Sequence, residues 1–213
     1  MKLSRMLRFI NSLVQNSLFY SGFFFLLISC SPNKSGIPKA QITLPQGIIT
    51  LGFFSEKAPK HVQNFIKLAE DGFFDGTTFH RIIPGFVIQG GDPKSKDTYI
   101  MDDGTGTLDY EIDSEFAIKH FAGAVGMAKR PNQNNNENKS SGCQFYIALD
   151  SLPKLDYDKH TVFAYVEDGM DVLNMLLKLK TNSVGNPNEA HLKHTEMSVE
   201  ILYEQSKNPV DDK

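Results

Sequence analysis

The chain has 213 residues and a mass of 23.9 kDa, enough for one or two domains with a buried core. Its 40% apolar and 22% charged residues exclude a disordered composition, and a formal charge of −3 argues against nucleic acid held through a basic surface. Two cysteines, Cys30 and Cys143, cannot build a disulfide framework, and P-loop, C-x-x-C and H-E-x-x-H motifs are absent from the sequence.

Residues 1–29 carry Lys2, Arg5 and Arg8 and no acidic residue. This basic start precedes the apolar run 19–28, shorter than the ~20 residues of a transmembrane helix, so residues 1–29 predict an export signal. The run closes on Leu27-Ile28-Ser29-Cys30, which resembles the bacterial lipoprotein signal. There the cysteine thiol receives a diacylglycerol and becomes the new N-terminus. An uncleaved anchor with an incidental cysteine is the alternative. Lipidation at Cys30, with palmitate-like chains, would tie the protein to a membrane of the cell envelope at ~0.8 kcal/mol per buried CH₂. Inner and outer leaflet stay open. Residues 30–39 are rich in Ser, Pro and Gly and read as a tether. A folded domain is expected over 40–204 and a flexible tail over 205–213.

Within the body, 41–44 and 48–54 read as two strands around the turn Pro45-Gln46-Gly47. A helix follows, with Pro59 in its first turn, Val62, Phe65, Ile66 and Ala69 on one face, and Asp71-Gly72 at its end. Strands are expected at 78–83, 86–89, 123–127, 145–149, 162–166 and 197–203, and a second helix at 170–179. Many short strands and two helices predict a mainly β fold, a closed antiparallel barrel with helices over its ends.

The most informative string is Phe79-His80-Arg81-Ile82-Ile83-Pro84-Gly85-Phe86-Val87-Ile88-Gln89-Gly90-Gly91-Asp92. Read alone, Arg81 could be an arginine whose stem packs while its head reaches water. The string closely resembles the signature of the cyclophilins, the cyclophilin-type peptidyl-prolyl cis–trans isomerases. Further pieces fall in that family's order: Gly104-Thr105-Gly106, Gly126-Met127-Ala128, Gly142-Cys143-Gln144-Phe145-Tyr146-Ile147, Leu155-Asp156 and Lys159-His160-Thr161-Val162-Phe163. The likeness runs from about Ala40 to Tyr203.

The resemblance implies an eight-stranded antiparallel β-barrel capped by two α-helices, with a proline groove on its outer wall. It implies Arg81 as the catalytic residue and Phe86, Val87, Tyr146, Leu155 and His160 as the proline pocket. Gln89, Ala128 and Gln144 would hold the peptide backbone, together with Lys129, where many members carry Asn. No metal or cofactor is implied; the partners are proline-containing segments of unfolded or exported proteins, and the protein itself would be a monomer. A physical reason supports the layout. An X–Pro bond crosses an ~18–20 kcal/mol barrier because rotation destroys amide resonance. At the twisted state the nitrogen regains a lone pair, to which a guanidinium donates better than to the planar imide.

Each residue also has a bland reading. An isolated Phe86 or Tyr146 would more often be core, His160 would more often be structural, and His80 would brace its strand. Asp102-Asp103 reads as a solvated loop and Cys143 as a packed small side chain. His61, His120, His191 and His194 show no ligand spacing. Lys154 stands where the family often has Trp, and the chain contains no Trp, so weak inhibition by cyclosporin is expected. The polar stretch 129–141 resembles an insertion beside the groove. A non-catalytic proline-peptide binder on the same fold, and a hollow lipocalin-like carrier, are the competing classes. Retention of Arg81 speaks against the first and dense apolar strands against the second.

Overall fold

Alternation of apolar and polar residues decides the first hairpin. Strands β1 (Ile37–Leu44) and β2 (Gly47–Phe53) pair antiparallel across Pro45-Gln46, with Ile42 opposite Ile49. Ala40, Ile42 and Leu44 are buried, as are Ile49 and Leu51, the period of two that a half-buried strand requires. The computed structural model describes residues 35–129, 138–181 and 195–205. The expected signal, residues 30–34 of the tether including Cys30, most of the 129–141 stretch, His191 and His194, and all but the first residue of the tail lie outside the described residues. Strand β1 starts at Ile37, opposite Glu204, so residues 37–39 belong to the sheet and not to a tether. Lys39 secures this end, with Nζ at 2.7 Å from Glu167 and 2.9 Å from Glu204.

Helix α1 (Pro59–Glu70) buries His61, Val62, Phe65, Leu68 and Ala69. Ile66, expected on that face, is only partly buried against the core. Residue Ala58 offers no side-chain cap. Glu115 takes that role from a distant loop, accepting the amide N–H groups of Lys60 and His61 at 3.1 Å each, with His61 Nδ1 at 2.7 Å. At the other end Phe73 N–H donates to Leu68 and Gly72 N–H to Ala69, a Schellman ending.

The remaining strands are β3 (Arg81–Ile83), β4 (Val87–Gly90), β5 (Glu111–Ile112), β6 (Ala124–Met127), β7 (Ser140–Ser141), β8 (Phe145–Ala148), β9 (Val162–Asp168) and β10 (Ser198–Glu204). Two further helices are α2 (Pro153–Tyr157) and α3 (Met170–Leu176). The second expected helix is thus found, ending at Leu176. Helix α2 was not expected, because five residues are too few to display a helical period.

The main sheet has eight antiparallel strands in the order β10-β1-β2-β9-β6-β8-β4-β3, and β5 pairs with β7 separately. Among the described residues its two edges meet ahead of β3 and β10, through an isolated bridge between Thr78 and Glu196. Phe79 N–H donates to Thr195 at 3.1 Å and Met197 N–H to Thr77 at 2.8 Å. The expected closure is therefore a seam of one bridge, not a ladder between β3 and β10.

Register sorts side chains to two faces. Ile82, Ile88, Ile147 and Val125 lie opposite one another across β3, β4, β8 and β6, all at most 1% exposed. They join a core in which Phe65 packs on Phe74, Phe145 and Phe163 with centroids 4.9–5.4 Å apart. The rings fill the inside, which a hollow carrier would need empty. Shifted by one residue, Arg81, Gln89, Tyr146 and Gly126 form the next row across the same strands and point to the opposite, outer face.

Candidate active site

That outer row carries a polar chain. Arg81 Nη1 donates to Gln89 Oε1 at 3.2 Å, and Gln89 Nε2 donates to Gln144 Oε1 at 2.9 Å. Gln144 Nε2 donates onward to the carbonyls of Gly104 and Gly106 at 3.0 and 2.7 Å. The loop bearing those glycines is held from beneath by buried Asp92, whose carboxylate accepts the N–H groups of Gly104 and Gly106 and, at 2.8 Å, of Lys94. A Cβ on Gly106 would overlap the Asp92 carboxylate, so only glycine lets the loop lie this close. Each side-chain amide gives and receives in one direction, which orients the guanidinium without neutralising it.

Arg81 is half-buried, and burial lowers its pKa below the usual arginine value; a guanidinium stays charged regardless. Its guanidinium carbon stands 5.7 Å from the centroid of the Phe86 ring, a cation–π contact. Both contacts, to the Gln89 amide and to Phe86, are with neutral groups.

Beside this chain lies an apolar patch on the same outer face. Val87, Ala128 and Tyr146 are buried in it with Ala124, Ala148, Leu152 and Val162, and Phe86 and Leu155 pack against it partly exposed. His160 meets Tyr146 edge-on with centroids 6.1 Å apart. Burial first, then the charges of Lys129 and His120, push His160 down to about 4, so it is neutral at pH 7.

A groove of about 670 Å³ runs along the polar side, lined by Arg81, Gln89, Gln144, Ala128, Lys129, His80, Ser141 and residues 103–107. Ala128 sits between its two halves, held by bonds to Gln144 and Ser141 at 2.9 and 2.7 Å. Lys129 Nζ reaches the Asp158 carbonyl at 2.5 Å and Asn138 at 3.4 Å, so its side chain ties the groove to the turn after α2. Burial pushes buried His80 down to about 4. Asp103 is raised to about 6 by burial and by the charges of Asp92, Asp102 and Asp97; with the groove beside it, it is more than a solvated loop residue.

All ten residues singled out for catalysis or peptide binding are thus found on one outer face, in the polar chain, the apolar patch or the groove wall. Cys143 is buried and packed, and burial raises its thiol. Four further residues were not singled out. Asp92 and Gly106 fell within quoted motifs that gave no hint of their contact. His120 has no sequence signal, because its partners lie in other elements, and the burial that first raises Asp103 leaves none either. Among the described residues no cluster of three or more potential metal ligands occurs.

Residues 39–198 match the family model described as cyclophilin type peptidyl-prolyl cis-trans isomerase/CLD. The chain is 41% identical over 146 residues to the peptidyl-prolyl cis-trans isomerase ppi1 of Schizosaccharomyces pombe, covering 67% of this chain and 87% of the relative. It is 36% identical over 148 residues to a peptidyl-prolyl cis-trans isomerase of Helicobacter pylori, covering 68% and 83%. It spans only 23% of the length of another relative, peptidyl-prolyl cis-trans isomerase 9 of S. pombe, at 39% identity and with 70% of this chain covered. A crystal structure of a cyclophilin type peptidyl-prolyl cis-trans isomerase of Cryptosporidium parvum, in the presence of the dipeptide Ala-Pro, superposes with a TM-score of 0.62 and 27% identity. It covers 78% of this chain and 99% of that one.

Proposed function

Because this chain belongs to the cyclophilin-type peptidyl-prolyl cis–trans isomerases, we propose that its polar chain and apolar patch act together as one site that rotates X–Pro bonds. The proline ring enters the notch between Phe86, Val87, Tyr146, Leu155 and His160. Gln89, Gln144, Ala128 and the backbone at Lys129 hold the chain beside it. Arg81 donates to the imide nitrogen as the bond twists. That nitrogen is a poor acceptor when its lone pair is delocalised and a good one when it is not, so the bond strengthens on the way to the barrier top and lowers it. A barrier lowered by ~7–8 kcal/mol corresponds to about 10⁵–10⁶-fold.

One observation carries the reading: the Arg81 charge is oriented by an amide and an aromatic face, and among the described residues no carboxylate pairs with it. A peptide-binding module needs the notch but has no use for an oriented, unneutralised cation at its rim. Arg81→Ala in the full chain should lower kcat/KM on a short proline peptide about 10²-fold or more while peptide binding stays measurable. Equal rates for the two proteins would defeat the assignment of Arg81, and a wild-type rate no faster than that of the free peptide would leave the non-catalytic binder in its place.

The reading extends to location. The basic start, apolar run and Cys30 support a lipid-anchored protein of a bacterial cell envelope, with 1–29 removed, acting as a monomer on exported chains. Radiolabelled palmitate appearing in the wild-type chain and not in Cys30→Ser would support it, and label in both would refute Cys30 as the site.

A further inference from the structure

The hydroxyl of Tyr146 is bound inside the protein. It lies 2.7 Å from Nε2 of His120, and Nδ1 of His120 lies 2.6 Å from Oδ1 of Asp156. The His120 amide N–H donates to the same carboxylate oxygen at 2.9 Å. His120 and Tyr146 are each 3% exposed, and their rings are nearly parallel, 16° apart. The sheet makes room for the arrangement: a Cβ at Gly126 would come within 2.5 Å of the Tyr146 hydroxyl.

These three polar groups come from three places in the fold. Tyr146 is on β8, His120 on the segment leading into β6, and Asp156 on α2. Asp156 follows Leu155, whose carbonyl accepts the N–H of His160 at 2.9 Å. The chain therefore ties one wall of the apolar notch, Tyr146, to the short helix that carries Leu155 and, through the Leu155 carbonyl, holds His160. The protons have one order in the neutral imidazole. An ionised carboxylate only accepts, so Nδ1 carries the ring proton and Nε2 accepts from the Tyr146 hydroxyl.

We propose that His120 is a positioning residue of this site: by joining Tyr146 to Asp156 it sets the separation of the Tyr146 and Leu155 walls, and so the width of the notch that receives the proline ring. The inference rests on the site reading given above. His120 acts only through its two neighbours. A notch of set width takes a five-membered ring and resists a larger one, because inserting an extra methylene into a packed site forces its walls apart. Loosening the chain should weaken the grip on proline and relax that discrimination together.

The experiment compares the full chain with His120→Gln and Tyr146→Phe on matched peptides carrying proline or the six-membered pipecolic acid. Each variant should raise KM for the proline peptide roughly 3- to 10-fold, the scale of one lost hydrogen bond, with the larger share of the loss in KM and not in kcat. The preference for proline over pipecolic acid should fall by a similar factor. A variant damaged only in stability would lose active fraction and leave KM and that preference unmoved. Unchanged KM and preference in folded His120→Gln or Tyr146→Phe would overturn the proposal. Should either variant fail to fold, the wild-type chain decides. The His120 ring nitrogens, followed by ¹⁵N NMR during titration with an Ala-Pro peptide, should shift on binding, and ring signals that ignore a bound peptide would overturn the proposal. Arg81→Ala should keep that shift while losing turnover. A shift in a wild-type chain that shows no turnover would sink the catalytic reading of the site and not the role of His120.

Discussion

Arg81, Gln89 and Gln144 form a chain in which each side-chain amide accepts on one side and donates on the other. The guanidinium is steered by a neutral amide, which leaves its charge intact. Asp103 at the same groove is the counterexample, a carboxylate whose surroundings oppose its ionisation. Burial and its acidic neighbours raise it from 3.8 to about 6. Its folded-state value lies above its unfolded one, so its contribution to stability is fully present below pH 3.8 and is lost as pH rises through about 6. Asp103→Asn should therefore gain stability relative to wild type at pH 8 and lose that advantage at pH 4. Denaturant midpoints at the two values test this, and an equal difference at both would refute it. The motif residues were legible in the sequence because their types and spacing are dictated by one task. Asp103 and His120 were not: burial, which raises Asp103, is a property of the folded state, and the hydrogen-bond partners of His120 are 26 and 36 residues away in the chain.

Elements show the same division. Helix α1 was legible from its apolar spacing and its proline start. Its N-terminal partner was not, since Glu115 comes from a loop 54 residues beyond His61. Glu115 is itself pulled two ways: burial raises it, and the bonds from His61 and from the two amides outweigh that and hold it below the usual carboxylate value. Glu115→Ala should cost about 1–2 kcal/mol, the range of a lost helix cap with a charged acceptor, and the loss should shrink as pH falls and the wild-type carboxylate becomes protonated. Chemical denaturation of both proteins at pH 7 and at pH 3 measures it. Helix α2 escaped notice for its length, yet it carries Leu155 and Asp156 and so one wall of the notch. Short elements are stabilised by what they dock against, and a local pattern holds little trace of that.

At the scale of the molecule, one barrel serves two interiors. The inner face of the sheet closes on packed aromatic rings, and the outer face of the same strands bears the site. Phe65, fully buried and in contact with four other rings, joins α1 to that interior. Phe65→Ala should destabilise the protein by about 3–5 kcal/mol and leave kcat/KM of the remaining folded fraction close to wild type, since the site lies across the sheet. Loss of specific activity in proportion to Arg81→Ala would contradict the separation of the faces.

By itself, the sequence determined the family, the strands of the main sheet though not the two-residue pair β5 and β7, the two longer helices and the residue types at the site, because these depend on local periodicity and on motifs whose chemistry demands particular side chains. Only the tertiary structure decided which residues share a face, how the sheet edges meet at Thr78 and Glu196, what surrounds Asp103, and which partners hold Arg81 and Tyr146 in place. Hydrogen-bond partners and electrostatic surroundings are properties of distance in space, and chain separations of 26 residues for Tyr146 and His120 or 36 for His120 and Asp156 leave no local pattern from which they could be read.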